Sequence, residues 1–382
     1  MKVFIEKISE YELPAISSFI SKVFAELKLE EKLQNCQTIL LKPNLLGPYP
    51  PERAITTHPV IVEAVIIILQ TLGKEVWLGD SPGGSLPVQV TWQKSGMQEL
   101  CERYHVKMIN FNTDGIVIKS REEREYNFAQ AFFTADAVID LAKYKTHSLM
   151  YYTGCVKNLF GLIPGLKKSD YHSKYPTLKE FSQVICDIYK LSSKQICLNV
   201  LDGIVGMEGE GPSAGETRHF GIIMASESGA ALDCKAAGMM GFGTKQVPYL
   251  WQCLQDEEMK ESDIEIDANW ENFAFKDVKI KKLSQMLQLM QKSPAFIQDM
   301  FRKIYHYYPD FTSKCRLCGV CRDSCPVQAI TIEPGMSTPS IDYDKCIKCM
   351  CCHELCPYQA VYLHKSFLAR FLIKKHFWHR RR

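Results

Sequence analysis

What this sequence of 382 residues lacks removes several classes of protein at the outset. Its longest uninterrupted aliphatic stretch, Ala64 to Leu69, falls far short of the ~18 apolar residues that a membrane span needs. The opening residues, MKVFIEKISEYELPAISSF, have no basic start followed by an apolar segment and a small-residue cleavage site, so no secretory signal is expected and the expected location is cytoplasmic. Excess charge is also missing: 46 Lys and Arg face 43 Asp and Glu, and a net +3 is too little to imply nucleic acid. The turn Gly79-Asp80-Ser81-Pro82-Gly83-Gly84 is neither G-x-G-x-x-G nor the phosphate-binding P-loop, which leaves it as ordinary turn chemistry or a weak anion-binding loop.

Cysteine, by contrast, is abundant and unevenly placed. Of 16 residues, nine fall between Cys315 and Cys356, whereas seven are scattered over the first 300 positions. Local clustering points to metal rather than to a disulfide framework. The spacing Cys-x2-Cys-x2-Cys-x3-Cys-Pro occurs twice, as Cys315, Cys318, Cys321 and Cys325 with Pro326, then as Cys346, Cys349, Cys352 and Cys356 with Pro357. Structural zinc usually takes two separated pairs instead. Three closely spaced thiolates hold three corners of an iron-sulfur cube, and in the bacterial two-cluster pattern the fourth Cys of each copy ligates the other cube. One [4Fe-4S] cluster is therefore expected on Cys315, Cys318, Cys321 and Cys356, and a second on Cys346, Cys349, Cys352 and Cys325. Cys351, next to Cys352, reads as a spare thiol close to the second cluster.

The rest of the chain reads as an α/β domain over residues 1–300, rich in parallel sheet, followed by a small α+β ferredoxin domain over 301–365 and a basic, aromatic tail over 366–382. Apolar runs such as Thr38-Ile-Leu-Leu-Lys-Pro43 suit buried parallel strands that deliver polar loops at their carboxyl ends, where open α/β sheets bind ligands. On this basis Lys42, Asn44, Asp80 and Ser81 are candidate cofactor-binding residues. A helix is expected from Val88 to Tyr104, strands from Ala137 to Leu141 and from Ile196 to Leu201, and loops beyond each strand. The segment Lys143 to His172 collects Lys143, Lys145, His147, Lys157, Lys167, Lys168 and His172 among glycines, a mixture suited to an anionic small molecule. Asp202, Glu208 and Glu210 lie in a Gly-rich loop that reads as a metal or amine site or a simple turn. His58 reads as a cap or packing residue of a helix start, or else a ligand contact, and Cys155 as a buried thiol. From Leu363 to Arg382, seven Lys and Arg are interleaved with Phe, Leu and Trp and no acid, which suits an anionic membrane surface, an acidic partner, or packing on the protein itself.

Taken together, KPN, THPVIVEA, GDSP, KTHS, YTGCVKNLFGLIPG and LDGIVGMEGEGP, followed by the two cysteine repeats, resemble the iron-sulfur proteins grouped as domain of unknown function 362, fused to a bacterial-type ferredoxin. That resemblance implies an iron-sulfur protein without an established general reaction. A fainter similarity is to the amino-terminal half of nickel-pincer lactate racemase, carried by His147, Tyr152-Thr-Gly-Cys-Val-Lys157, Pro164-Gly165 and His172. It implies a nickel-pincer cofactor on Lys157, nickel ligation by His172 and acid/base work by His147. The loop that would supply a second acid/base His reads Gly79-Asp80-Ser81-Pro82 and has none, which speaks against racemisation. His147, Lys157 and His172 are thus the candidate catalytic residues. Two function classes follow: an oxidoreductase passing single electrons between the clusters and an anionic ligand, or a ferredoxin-like carrier or cluster-delivery protein whose α/β domain recognises a redox partner protein.

Overall fold

The computed structural model describes residues 1–268, 273–280 and 307–365. The tail over 366–382 lies outside the described residues. The chain divides into two compact units, Met1–Ile280 and Lys281–Arg382.

In the first unit the apolar runs pair into a nine-stranded sheet. Five of its strands, β2 (Thr38–Pro43), β3 (Glu75–Asp80), β4 (Lys107–Asn110), β7 (Ala137–His147) and β9 (Ile196–Glu208), run parallel in the order β4-β3-β2-β7-β9. The edge beyond β9 adds β10 (Glu216–Ser226), antiparallel to it, then β1 (Lys2–Lys7), antiparallel to β10, and β11 (Glu265–Ile266), parallel to β1. A short β8 (Tyr151–Thr153) folds back on β7. The chain leaves β2 toward β3 and β4 on one side, then crosses to β7 and β9 on the other. The crevice outside the carboxyl ends of β2 and β7 is therefore a topological switch point, the usual ligand position in such sheets.

Side-chain alternation along each strand divides the two faces. Ile39, Leu41, Ile139, Leu141, Leu198 and Val200 pack with the helices Leu13–Glu26 and Pro59–Thr71 in one core. The second helix begins with Pro59 at its first turn, the imidazole of His58 accepts a hydrogen bond from the Val60 N–H, and Gly73 lies just past its end at φ 70°. The opposite parity sends Lys42, Asp140 and Asn199 to the other face, and they are buried there.

Two strands outrun their apolar runs. Strand β7 continues through Ala142-Lys143-Tyr144-Lys145-Thr146-His147, and β9 continues through Asp202 to Glu208, so both segments expected as loops are largely ladder. All eleven residues of β7 are buried, charged ones included. The expected helix from Val88 to Tyr104 is two helices, Val88–Lys94 and Met97–Arg103, parted at Gly96, whose φ of 77° no helix interior accommodates. A hairpin of β5 (Ile116–Arg121) and β6 (Arg124–Ala129) was not foreseen, because β5 is polar or exposed along most of its length and gives no alternation.

The second unit pairs β12 (Tyr307–Phe311) with β15 (Val361–Lys365) and β13 (Ile330–Thr331) with β14 (Ser340–Ile341), and it carries two single-turn helices, Val320–Asp323 and Cys351–Glu354. Together the units form an α/β domain with a mostly parallel sheet and a small carboxyl-terminal ferredoxin-like domain.

Candidate functional site

The cysteine repeat is a repeat of backbone as well as of sequence. Each feature of the first copy recurs thirty-one positions later. Leu317 and Lys348 both adopt left-handed φ, at 50° and 59°, as do Gly319 and Met350, at 83° and 65°, and Gln328 and Gln359, both at 51°. These turns bring backbone N–H groups onto sulfur. Ala329 N–H donates to Cys325 Sγ and Ala360 N–H to Cys356 Sγ, each at 3.3 Å, and Leu317 N–H donates to Cys315 Sγ at 3.4 Å. Backbone that spends left-handed residues to aim donors at thiolates stabilises their negative charge.

The thiols gather around two hollows. One is lined by Cys315, Cys318, Cys321 and Cys356, the other by Cys325, Cys346, Cys349 and Cys352 with Cys351 beside them. Each hollow thus takes three cysteines from one copy and the last from the other. Among the described residues, no three His, Cys, Asp or Glu side chains converge closely enough to hold a single metal ion. Four thiols spread around a hollow suit the wider [4Fe-4S] cube instead. The residues present therefore fit two such clusters, which supply one-electron chemistry when bound.

At the switch point of the first unit, buried charge is dense and internally matched. Lys42 Nζ donates to Asp80 Oδ1 at 2.9 Å, to Asn158 Oδ1 at 3.2 Å and to the Pro43 carbonyl at 2.8 Å. Asp80 also accepts from the Leu45 and Ser81 N–H groups. Asn44 donates to Asn158 and accepts from Lys145 Nζ at 2.8 Å. Ser81 Oγ accepts from Lys168 Nζ at 2.7 Å and from the Gly165 N–H, and donates to Asn112. The four candidate cofactor-binding residues are thereby brought together, but they spend their polar groups on one another and on Asn158, Lys145 and Lys168. Gly161 of the NLFGLIPG segment is what lets that turn approach: a Cβ there would lie 2.4 Å from Asp80 Oδ1 and 2.7 Å from Lys42 Nζ.

Asp140 lies under the same network. Its Oδ1 accepts from Asn158 Nδ2 at 2.7 Å, and burial pushes its carboxyl up to about 8, against the opposing pull of Lys42. Asp233 is raised to about 7 by burial, although the N–H groups of Val156 and Cys155 hold its charge at the start of the helix Cys155–Asn158. Burial draws Lys168 down to about 7.

On the opposite face Lys143 Nζ meets Asp202 Oδ2 at 2.7 Å and Tyr11 Oη at 2.9 Å. Asp202 also accepts from Tyr11 Oη and the His58 N–H, and the Tyr11 and His58 rings stack with centroids 3.6 Å apart. Asp202, Glu208 and Glu210 do not converge: Glu208 pairs with Arg218 and Glu210 accepts from Ser148. Tyr11 escaped sequence reasoning because it stands 132 residues from Lys143 and no motif surrounds it.

Of the candidate catalytic residues, Lys157 and His172 are neighbours in charge. His172 is stacked on Phe181 at 4.1 Å between ring centroids, and burial, assisted by Lys157, lowers it to about 3, so it is a neutral imidazole. Lys157 Nζ stands 6.0 Å over the Phe160 ring. His147 Nδ1 accepts from the Leu149 and Met150 N–H groups, which places its proton on Nε2. Cys155 is buried and its thiol is pushed far up by burial, as expected of an inert core cysteine.

Residues 39–238 match the family described as domain of unknown function (DUF362). The chain belongs to this DUF362 family. Residues 314–360 match the 4Fe-4S dicluster domain. A thylakoid-associated protein of Synechocystis sp. is 30% identical over 213 residues, which cover 56% of this chain and 65% of that relative. This DUF362 protein is accordingly an iron-sulfur protein with [4Fe-4S] clusters in a ferredoxin-type domain, a composition consistent with electron transfer to or from a redox partner. Among its described residues no helix is long and apolar enough to cross a membrane.

Proposed function

We propose that this protein is an oxidoreductase in which one [4Fe-4S] cluster on Cys315, Cys318, Cys321 and Cys356, and another on Cys325, Cys346, Cys349 and Cys352, pass single electrons to or from an anionic small molecule in the α/β unit. The observation that carries the electron-transfer part is the grouping of eight thiols around two hollows, four to each. For the ligand, support comes from the topological switch point, where the sheet gathers the buried charges of Lys42, Asp80, Asp140 and Lys168. Lys157, whose charge acts on the neighbouring neutral imidazole of His172, is the proposed ligand contact. The test is anaerobic potentiometry followed by electron paramagnetic resonance, with about eight irons per chain expected. Two reversible one-electron steps support the reading, and clusters that do not cycle sink it. Lys157→Ala and His172→Ala should abolish ligand binding and turnover while leaving both cluster signals.

The internal matching of the buried lysines favours a second reading, a carrier whose α/β unit serves recognition only. Under it, the two variants would leave every ligand and turnover signal intact. The Synechocystis relative is described as thylakoid-associated, and residues 366–382 combine basic and aromatic residues. Deleting them should remove binding to anionic liposomes, and retained binding would rule out the tail as the membrane contact.

A further inference from the structure

The two copies of the cysteine repeat differ in what they show to solvent. Of the eight cysteines around the hollows Cys318 alone is exposed, whereas Cys349, its counterpart thirty-one positions later, is half-buried. The single-turn helix Val320–Asp323 shows Arg322 and Asp323 to solvent, and the matching helix Cys351–Glu354 is buried along its whole length. Charge follows the same division. Lys314, Arg316 and Arg322 stand exposed on the first copy, and Arg316 lines the hollow that Cys318 lines. Arg322 Nε pairs with Asp323 at 2.7 Å, and the pair lies over Gly319 of the same hollow, where a Cβ would meet Arg322 Nη2 at 3.3 Å. Among the described residues Lys314 and Arg316 have no ion-pair partner. In the second copy the positions of Arg316 and Arg322 are held by Ile347 and by the buried His353, whose Nδ1 lies 2.8 Å from the Val361 carbonyl, while Lys345, the counterpart of Lys314, pairs with Asp342.

We propose that the rim of Lys314, Arg316 and Arg322 around Cys318 is the docking surface for an acidic one-electron carrier protein, so that electrons enter and leave the pair of clusters through the one on Cys315, Cys318, Cys321 and Cys356. In each encounter one electron passes between that cluster and the carrier's own redox centre, one gaining what the other loses, and no bond or proton is exchanged. Electron tunnelling weakens steeply with distance, so the cluster whose ligand residue reaches the surface is the one a partner approaches closely enough. Exposed cations that no internal acid neutralises steer an acidic partner toward that point, an attraction that salt screens. Redox encounters use small interfaces, which a rim of three side chains suits. The inference rests on the dicluster reading above and names the class of its redox partner.

The experiment follows electron transfer from the pre-reduced, cluster-loaded full chain to an acidic flavodoxin by anaerobic stopped-flow absorbance at several ionic strengths, with binding of the two oxidised proteins read by calorimetry. Wild type is compared with Arg316→Glu, with Arg316→Ile, which copies the second repeat and guards against a reversal that hinders folding, and with Lys345→Glu as the control on the other copy. Iron content and paramagnetic resonance of each variant show that both clusters are retained. The wild-type rate should fall as salt rises. At low ionic strength Arg316→Glu should slow transfer and weaken binding about tenfold, Arg316→Ile should do so less, and Lys345→Glu should stay within about twofold of wild type; at high salt the differences should close. Equal slowing by Lys345→Glu, or a rate and affinity indifferent to salt or to Arg316→Glu, would overturn the proposal. Binding to anionic liposomes that Arg316→Glu abolishes while transfer to flavodoxin is unchanged would overturn it too, by giving the rim to a membrane surface. A wild-type chain lacking two cluster signals would instead sink the dicluster reading itself, so the two failures are distinguishable.

Discussion

The two units treat buried reactive groups in opposite ways. In the α/β unit the buried charges find protein partners: Lys42 has Asp80 and Asn158, Lys143 has Asp202, and Lys168 has the Ser81 and Pro82 carbonyls. In the ferredoxin-like unit the thiols face hollows, and among the described residues three of the six buried members of its core, Cys321, Cys352 and Cys356, are cysteines. In the first unit these charges are matched from within the protein. The other has too little apolar core to stand without what its thiols hold, which is the usual condition of a small metal-dependent domain.

The largest expected effect tests that contrast directly. Removing iron with a chelator under reducing conditions should leave residues 307–365 open to proteolysis while the α/β unit stays resistant, as read by mass spectrometry of the fragments. Equal resistance of both units after iron loss would break the comparison.

Next in size is the cost of unmatching a buried pair. Lys143→Ala leaves the fully buried Asp202 carboxylate without its cation, and a loss of about 3–5 kcal/mol is expected in denaturant unfolding. Replacing both partners with apolar residues, as in Lys143→Met with Asp202→Leu, should recover much of it. A Lys143→Ala variant as stable as wild type would show that Tyr11 and the His58 N–H suffice for Asp202.

A smaller and pH-dependent effect belongs to Asp140. Its carboxyl is raised from an ordinary 3.8 to about 8 in the folded protein. The folded chain therefore keeps a proton that the unfolded chain releases as pH climbs. The contribution of Asp140 to stability is fully present below about pH 4, falls as pH rises, and levels off above about pH 8. Asp140→Asn removes this dependence, so the stability difference between wild type and variant should shrink and then reverse across that window, by up to several kcal/mol. Thermal unfolding of the two proteins at matched pH checks it, and parallel pH profiles would contradict it.

How much of this could be read from the chain also differs between the units. Cysteine spacing is local, so the eight thiols follow from residue numbers, their exchange of the fourth Cys follows from the two-cluster pattern that the spacing matches, and the thirty-one-residue offset carries the left-handed turns with it. The α/β unit was legible in its apolar runs, as in Thr38 to Pro43, and in its caps, as at His58. Strand β7 was cut short because Lys143, Lys145 and His147 are residue types that are rarely buried. Their alternation with Ala142, Tyr144 and Thr146 was nevertheless the period-two signal of a strand. What no local pattern contains is the partner: Asp80 lies 38 residues from Lys42, and Asn158 lies 116 away. Sequence located the crevice from strand ends but could not reveal that its cations are already occupied.

We propose that each cluster takes its fourth ligand from the other copy. It is tested most directly by comparing Cys318→Ser with Cys356→Ser, and Cys349→Ser with Cys325→Ser, in paramagnetic resonance of the reduced full chain. The first two variants should alter one and the same cluster signal, and the last two should alter the other. If Cys356→Ser instead altered the signal affected by Cys349→Ser, each copy would hold its own cluster and the account would be wrong.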